Sequence, residues 1–305
     1  MNDTPGNNNN GSADHYSDNE DNSTPGAIFI INCVVNAPLM LISILGNALV
    51  LTAIIRTSSI RSTPHMIMLS SLVVSDFLVG LIAQPIYIAE RLTEDRLVYS
   101  VSVMMGYSLC GVSFLTIIAI TVDQFLALHY HMRYAALVTE SRIKYTLTII
   151  WLINVLGSAF YFWNTLVHSL VTGVIAILCL LICTFFYIRI YRIVRRHQLH
   201  IHIQQQAVQS SNAGNNFNIA RLKKSALSTF VFYIAMIICY LPLYVLLTLY
   251  GLSIKDWQTE WQIAYTAVFM NSSVNPFLYC WRLRELRTAV VKTGRWVIFK
   301  QEEEN

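Results

Sequence analysis

Seven long apolar runs constrain the chain more than any other feature: residues 27–55, 66–89, 98–128, 145–163, 166–194, 226–252 and 261–281. A hydrocarbon core about 30 Å thick takes roughly 20 apolar residues per crossing, and only a helix satisfies its own backbone polar groups along the way. The pattern predicts an all-α membrane protein with seven spanning helices and no separate soluble domain. Composition agrees: 55% of residues are hydrophobic and 12% charged, while a soluble surface needs about twice that charge density.

The basic residues orient the bundle. Of 21 Lys and Arg, only Arg91, Arg96 and Lys255 fall on the side shared with the first tail, and that tail holds Asp3, Asp14, Asp18, Glu20 and Asp21 with no basic residue. Short cytoplasmic loops carry the positive excess, so the N-terminus is expected outside and the C-terminus inside, at the plasma membrane. The net charge of +4 reports this topology and points to no nucleic-acid partner. Three regions follow: an extracellular tail over 1–26, too polar to fold; the bundle over 27–281; and an amphipathic helix with a cytoplasmic tail over 282–305. Asn2, Asn10 and Asn22 begin glycosylation sequons in the tail, a pattern that the outside location strengthens. No cleavable signal peptide is recognised ahead of the first helix. The stretch 204–218 reads as polar linker, and His197, His200 and His202 as a solvated loop. The six cysteines lie in or at the ends of apolar runs and predict no extracellular disulfide.

Within the second run stands a single carboxylate, Asp76. Counting from the inner face near His65 puts it ~16 Å deep, where an aspartate costs on the order of 3 kcal/mol. It must face protein and find partners. Asn47, Ser113, Asn271, Ser272 and Asn275 are the polar residues within reach of that depth, and Asn47 in particular is expected to reach toward Asp76. Pro38, Pro242 and Pro276 lie inside helical runs and predict bends, because proline removes a backbone donor. Leu283, Leu286 and Val290 against Arg284, Arg287 and Lys292 predict a short amphipathic helix on the inner surface.

Seven spans, Gly46-Asn47, Leu72 with Ser75-Asp76, Asp123 at the end of the third helix, Trp151, Cys239 with Pro242, and Asn275-Pro276 with Tyr279 together resemble the rhodopsin-like (class A) G-protein-coupled receptors. The resemblance covers all seven helices. It implies a receptor, not an enzyme, with an extracellular ligand, a heterotrimeric G protein and arrestin as partners, and no cofactor beyond a sodium ion. The implied sodium pocket maps onto Asp76 and Ser113, with Asn271 and Asn275 nearby and Tyr240 where the family usually has tryptophan. Coupling and activation map onto Asp123, Gln124, Tyr187, Tyr279, Pro242 and Pro276.

Departures from the family pattern shape the functional expectation. Gln124 replaces the arginine that meets the helix-three aspartate and the G protein, which opens a second reading: a decoy or arrestin-biased receptor. Tyr99 stands at the outer cysteine and Cys179 at the fifth-helix proline, as in the melanocortin, adenosine, cannabinoid and lysolipid group. The acids of melanocortin receptors are Ile86, Tyr99 and Val103 here, and the adenosine-receptor asparagine is Leu247. Gly106 occupies the place of the amine-receptor aspartate, so a biogenic amine is not expected. Tyr87, Gly106, Tyr107, Cys110, Leu243, Tyr244, Trp261, Tyr265 and Phe269 form the expected lining, suited to a neutral or apolar ligand, with Glu90 and His168 near the mouth. A transporter or light-driven pump is the reading from another class. The spans show no paired broken helices, and Phe269 stands near the place of the retinal lysine.

Overall fold

The computed structural model describes residues 24–57, 63–93, 95–130, 133–207, 212–254 and 258–304; side chains within 24–29, 197–198, 200–230, 258 and 297–304 are outside the description. Asn2, Asn10 and Asn22 therefore lie outside the described residues, as do the side chains of His197, His200 and His202. The helix of the first span is Thr24–Arg56. The second span is Pro64–Thr93 and the third Arg96–Tyr130. After a one-turn helix, Tyr134–Leu137, the fourth runs over Glu140–Ala159 and ends in a 3-10 turn, Phe160–Phe162. The fifth and sixth are the helices Thr165–Ala207 and Asn212–Gly251. Gln258–Arg282 is the seventh, and a tail helix, Arg284–Glu304, follows.

Six of these helices are long and apolar enough to cross a membrane by length and composition alone. The seventh is 25 residues long, but Thr266, Asn271, Ser272, Ser273 and Asn275 dilute its apolar character. Those four residues from Asn271 to Asn275 are all buried, packed toward the rest of the bundle, so lipid does not meet them. Large apolar side chains such as Leu45, Leu156 and Ile175 are exposed around the outside, as expected of helices whose solvent on that face is lipid.

Local chemistry sets several boundaries. The fourth helix starts five residues before the apolar run because Thr139 Oγ1 accepts the Arg142 N–H at 3.5 Å, an N-cap. The turn from fourth to fifth span is as tight as the sequence implies, with Asn164 Oδ1 accepting the Val167 N–H at 3.0 Å. In the second span, Pro85 has no N–H to give and its ring would strike the carbonyl of Leu81 in a regular helix. The helix loosens into a π turn over Val79–Ala83, with the Gln84 N–H bonding the Val79 carbonyl five residues back. Pro38, Pro242 and Pro276 all sit inside continuous helices.

Two expectations are corrected. The stretch 204–218 is not a linker throughout: helix continues to Ala207 and has resumed at Asn212. Its composition is polar, yet Gln and Ala are good helix formers once a long helix already supplies the nucleus. The first helix begins at Thr24, inside what the composition assigns to the tail. The inner-surface helix extends to 21 residues; Leu286 is fully buried, and the Arg56 guanidinium lies 3.7 Å from the Trp296 ring centroid, fixing the tail helix against the first span.

Candidate functional site

Three polar or hollow regions lie along the axis of the bundle. At mid-depth Asp76 is fully buried and its carboxylate is held from two other spans. Oδ1 accepts from Ser113 Oγ at 2.8 Å and from Ser272 Oγ at 2.8 Å; Oδ2 accepts from Asn275 Nδ2 at 2.8 Å. Ser75 Oγ lies 2.8 Å from Ser113 Oγ and extends the seam along the second span. Two sequence expectations change here. Asn47 does not reach Asp76; its amide donates to the carbonyls of Ser43 at 2.8 Å and Ser272 at 3.0 Å, and Ser43 Oγ instead donates to the Asp76 backbone carbonyl at 2.9 Å. Asn271 turns to the Tyr240 hydroxyl at 3.4 Å, and Ser272 takes its place at the carboxylate. Both residues lie within one turn of Asn275, and the rotation of the seventh helix decides which one faces Asp76. Gly46 sits against the Pro276 ring, where an added Cβ would fall 3.0 Å from Cγ, so the first and seventh spans meet closely beside the seam.

Toward the outside are two cavities that share Gly106, Tyr107 and Tyr265 in their walls. The larger, about 620 Å³, also takes in Cys110, Leu243 and Tyr244. The smaller, about 320 Å³, is lined by Tyr87, Trp261 and Phe269, with Glu90 and Arg91 beside them. All nine residues singled out for a ligand thus border one of the two spaces. Aromatic packing braces the walls: Tyr87 meets Phe269 edge-on at 5.3 Å and Phe114 lies 4.9 Å from Tyr244. The larger cavity contains no Asp, Glu, Lys or Arg among its lining residues; its polar groups are neutral amides and hydroxyls, phenols and His168. It also extends to Phe160, Trp163, Val171 and Ile175, whose outward faces are exposed. The fourth and fifth spans pack against each other mainly at their outer turn, so this cavity reaches the lipid-facing surface between them.

Glu90 is buried and pairs with the Arg91 guanidinium at 3.2 Å. His168 packs edge-on against Tyr107 at 4.6 Å. Tyr99, at the position of the family's outer cysteine, accepts the Tyr161 hydroxyl proton at 3.3 Å, a polar tie between the third span and the outer end of the fourth. All six cysteines carry free thiols.

At the inner end Asp123 Oδ1 accepts from the Tyr134 hydroxyl at 2.7 Å, and its Oδ2 lies 3.7 Å from His65 Nδ1. Burial, and then the neighbouring Asp123 carboxylate, push the Tyr134 phenol well above its ordinary range, so the proton stays on the tyrosine. Tyr134→Phe is expected to cost about 1–2 kcal/mol, read as a lower melting temperature of the purified protein. The Tyr187 hydroxyl lies 3.1 Å from Thr121 Oγ1, while Tyr279 stacks on Phe232 at 5.8 Å. The cavity between these groups is closed to about 20 Å³. Ser272 was among the polar partners expected for Asp76 but not among the residues mapped onto the sodium pocket; sequence reading missed Tyr134 and Arg282, which come close to these sites only through tertiary packing.

The family description "7 transmembrane receptor (rhodopsin family)" matches residues 46–169 and 159–279. The chain belongs to this receptor family. Among similar proteins are histamine H2 receptors from Canis lupus familiaris, 27% identical over 84% of this chain and 77% of the relative, and from Cavia porcellus, 26% identical over 82% and 76%. The Homo sapiens histamine H2 receptor is 26% identical over 84% of this chain and 77% of its own length. The protein is accordingly a multi-pass membrane receptor.

Proposed function

We propose that this receptor sits in the plasma membrane with its N-terminus outside, and transmits binding of a neutral, largely apolar ligand to a cytoplasmic G protein. The observation that carries the ligand class is the larger cavity: about 620 Å³, within the usual size range for small-molecule sites, walled by aromatic and aliphatic side chains with no charged residue, and continuous with the lipid-facing gap between the fourth and fifth spans. A ligand dissolved in the bilayer reaches such a site without crossing a polar mouth. Thermal-shift screening against lipid, steroid, peptide and amine libraries tests this, because a ligand that prefers the folded state raises its stability by mass action. Hits confined to lipids and steroids fit the proposal; stabilisation by charged ligands alone overturns it.

One observation favours a second reading. Glu90 is a buried carboxylate on the wall of the smaller cavity, among Tyr87, Tyr99, Tyr107 and Trp261, and the similar proteins are named histamine receptors. An amine could take its counter-ion there rather than at Gly106. Arg91 already compensates that charge at 3.2 Å, which is why the neutral ligand is preferred. Histamine raising the melting temperature of wild type but not of Glu90→Gln would establish the second reading.

The seam at Asp76 fits a sodium ion by its donors. One carboxylate and the hydroxyls of Ser113 and Ser272 are hard oxygen ligands, with the Asn275 amide alongside, whereas Asn271 turns away to Tyr240. A bound cation there would supply positive charge to a carboxylate shared by three spans, favouring the packing in which those spans converge. Coupling is assigned to the inner ends of the fifth and sixth helices. Arrestin recruitment without nucleotide exchange would replace coupling by the arrestin-biased reading.

A further inference from the structure

Gly106, on the third span, borders both outer cavities, and a Cβ added to it would meet nothing within 4 Å. Any larger side chain at this position would project into that space, and glycine leaves it clear. Tyr107 and Tyr265 are the other two residues common to both walls. Each is braced by an aromatic neighbour: Tyr107 stands edge-on to His168 at 4.6 Å, and Tyr265 stacks on Trp261 at 6.0 Å. The two cavities are therefore adjoining chambers that meet where one side chain is missing.

Their chemistry differs. The larger chamber, about 620 Å³, has no charged residue in its wall. The smaller, about 320 Å³, gathers six phenols, the hydroxyls of Ser102, Thr165 and Ser169, and the Glu90–Arg91 pair. Those two charges lie 3.2 Å apart, so a head with net charge that one of them attracts is repelled by the other at nearly the same distance. Two polar atoms on this wall, Arg91 Nε and Tyr87 Oη, are buried without a hydrogen-bond partner, and Tyr87 is only 3% exposed. Arg91 Nε can only donate, whereas Tyr87 Oη both donates and accepts, so uncharged oxygens and hydroxyls satisfy the two together.

We propose that the two chambers form one bipartite site for a single-tailed amphiphile. Its uncharged, hydroxyl-bearing head lies in the smaller chamber against Arg91 and Tyr87, and its apolar tail passes Gly106 to fill the larger one. Together the two volumes stay within the roughly 300–1,000 Å³ of small-molecule sites. The inference rests on the neutral-ligand reading above and adds to it a head chamber and a doorway.

Full-length receptor in lipid nanodiscs is titrated with four probes that share one alkyl chain, namely dodecylglycerol, dodecanoate, dodecylamine and dodecane, and saturable binding is measured as the excess over empty nanodiscs. Wild type is expected to bind dodecylglycerol about 10-fold more tightly than the other three, the size of one net hydrogen bond. Gly106→Ala leaves the doorway open and keeps that affinity, while Gly106→Leu fills it and loses about 10- to 100-fold, as overpacking does. Without ligand both variants should melt at or above wild type, because alanine and leucine are better helix formers than glycine. Glu90→Gln uncovers the Arg91 charge and should move preference toward dodecanoate; Arg91→Gln uncovers Glu90 and should move it toward dodecylamine. A merely structural pair would not give opposite shifts.

Undiminished dodecylglycerol binding in a folded Gly106→Leu, or dodecane binding as tightly as dodecylglycerol, overturns the bipartite site and leaves a neutral ligand in the larger cavity. If Gly106→Leu does not fold, the charge variants decide, and an unshifted preference in both overturns the head chamber. Absence of saturable binding by all four probes also overturns the amphiphile, while the thermal-shift screen still decides the neutral-ligand reading. Preference of wild type for dodecylamine or dodecanoate overturns both.

Discussion

Replacing Asp76 by Ala is expected to lower stability by about 2–4 kcal/mol and to abolish any effect of sodium on melting. The carboxylate is the shared acceptor for Ser113, Ser272 and Asn275, three donors that are themselves buried. Interhelical hydrogen bonds in membranes are individually modest, averaging about 0.6 kcal/mol and reaching ~1.7. Three of them converge on one group, however, and all three donors are stranded by a single truncation. Asp76→Asn separates the two parts of the effect. Its amide oxygen still accepts from both serines, and Asn275 need only flip its own amide to accept from the new donor, so the cost should stay under about 1 kcal/mol. The charge is gone in either variant. Melting of wild type should rise when choline chloride is replaced by sodium chloride at constant ionic strength, and melting of both variants should not respond. A wild-type melting temperature in Asp76→Ala would show that the seam contributes nothing to holding the second, third and seventh spans together.

The second large effect is steric and lies where the fifth and sixth spans meet. A Cβ added to Gly173 would sit 2.8 Å from the Thr248 backbone nitrogen and 2.9 Å from the Tyr244 carbonyl oxygen. At Gly251 it would fall 2.5 Å from the backbone nitrogen of Leu170 and 2.6 Å from its Cα. Side-chain ends can rotate away from such contacts, but backbone atoms cannot. Gly173→Ala and Gly251→Ala should therefore each cost about 1–3 kcal/mol, the usual range for an overpacked interface. Gly157→Ala is the matched control, since nothing lies within 4 Å of the Cβ it would add. Because Leu243 and Tyr244 border the larger cavity, Gly173→Ala should also weaken whatever ligand the thermal-shift screen returns. Equal melting temperatures for Gly173→Ala and Gly157→Ala would mean that the two helices are not in backbone contact.

Most of the architecture was readable in advance because the bilayer imposes a simple rule. Every crossing must be helical and about 20 residues long, so the seven apolar runs determined the helices, and the placement of Lys and Arg determined an expected orientation. The cost of a carboxylate in lipid likewise determined that Asp76 faces inward with polar partners, and Ser113 and Asn275 are among them. Composition was a poorer guide at the ends. Polar residues at 204–207 read as linker, although a helix leaving the membrane continues as long as its hydrogen-bond ladder does.

What only the tertiary structure decided is how each helix is rotated about its axis and which ends converge. A turn of the seventh helix exchanges Asn271 for Ser272 at the carboxylate and sends Asn47 to a backbone carbonyl. Helical periodicity limits the face to a stripe more than 100° wide, which is too coarse to choose between neighbours. The sequence by itself showed that the third span lacks its arginine. That a guanidinium from the end of the seventh span lies in the same cavity depends on a separation of 158 residues along the chain, from Gln124 to Arg282, and contacts of that kind exist only once the helices have packed.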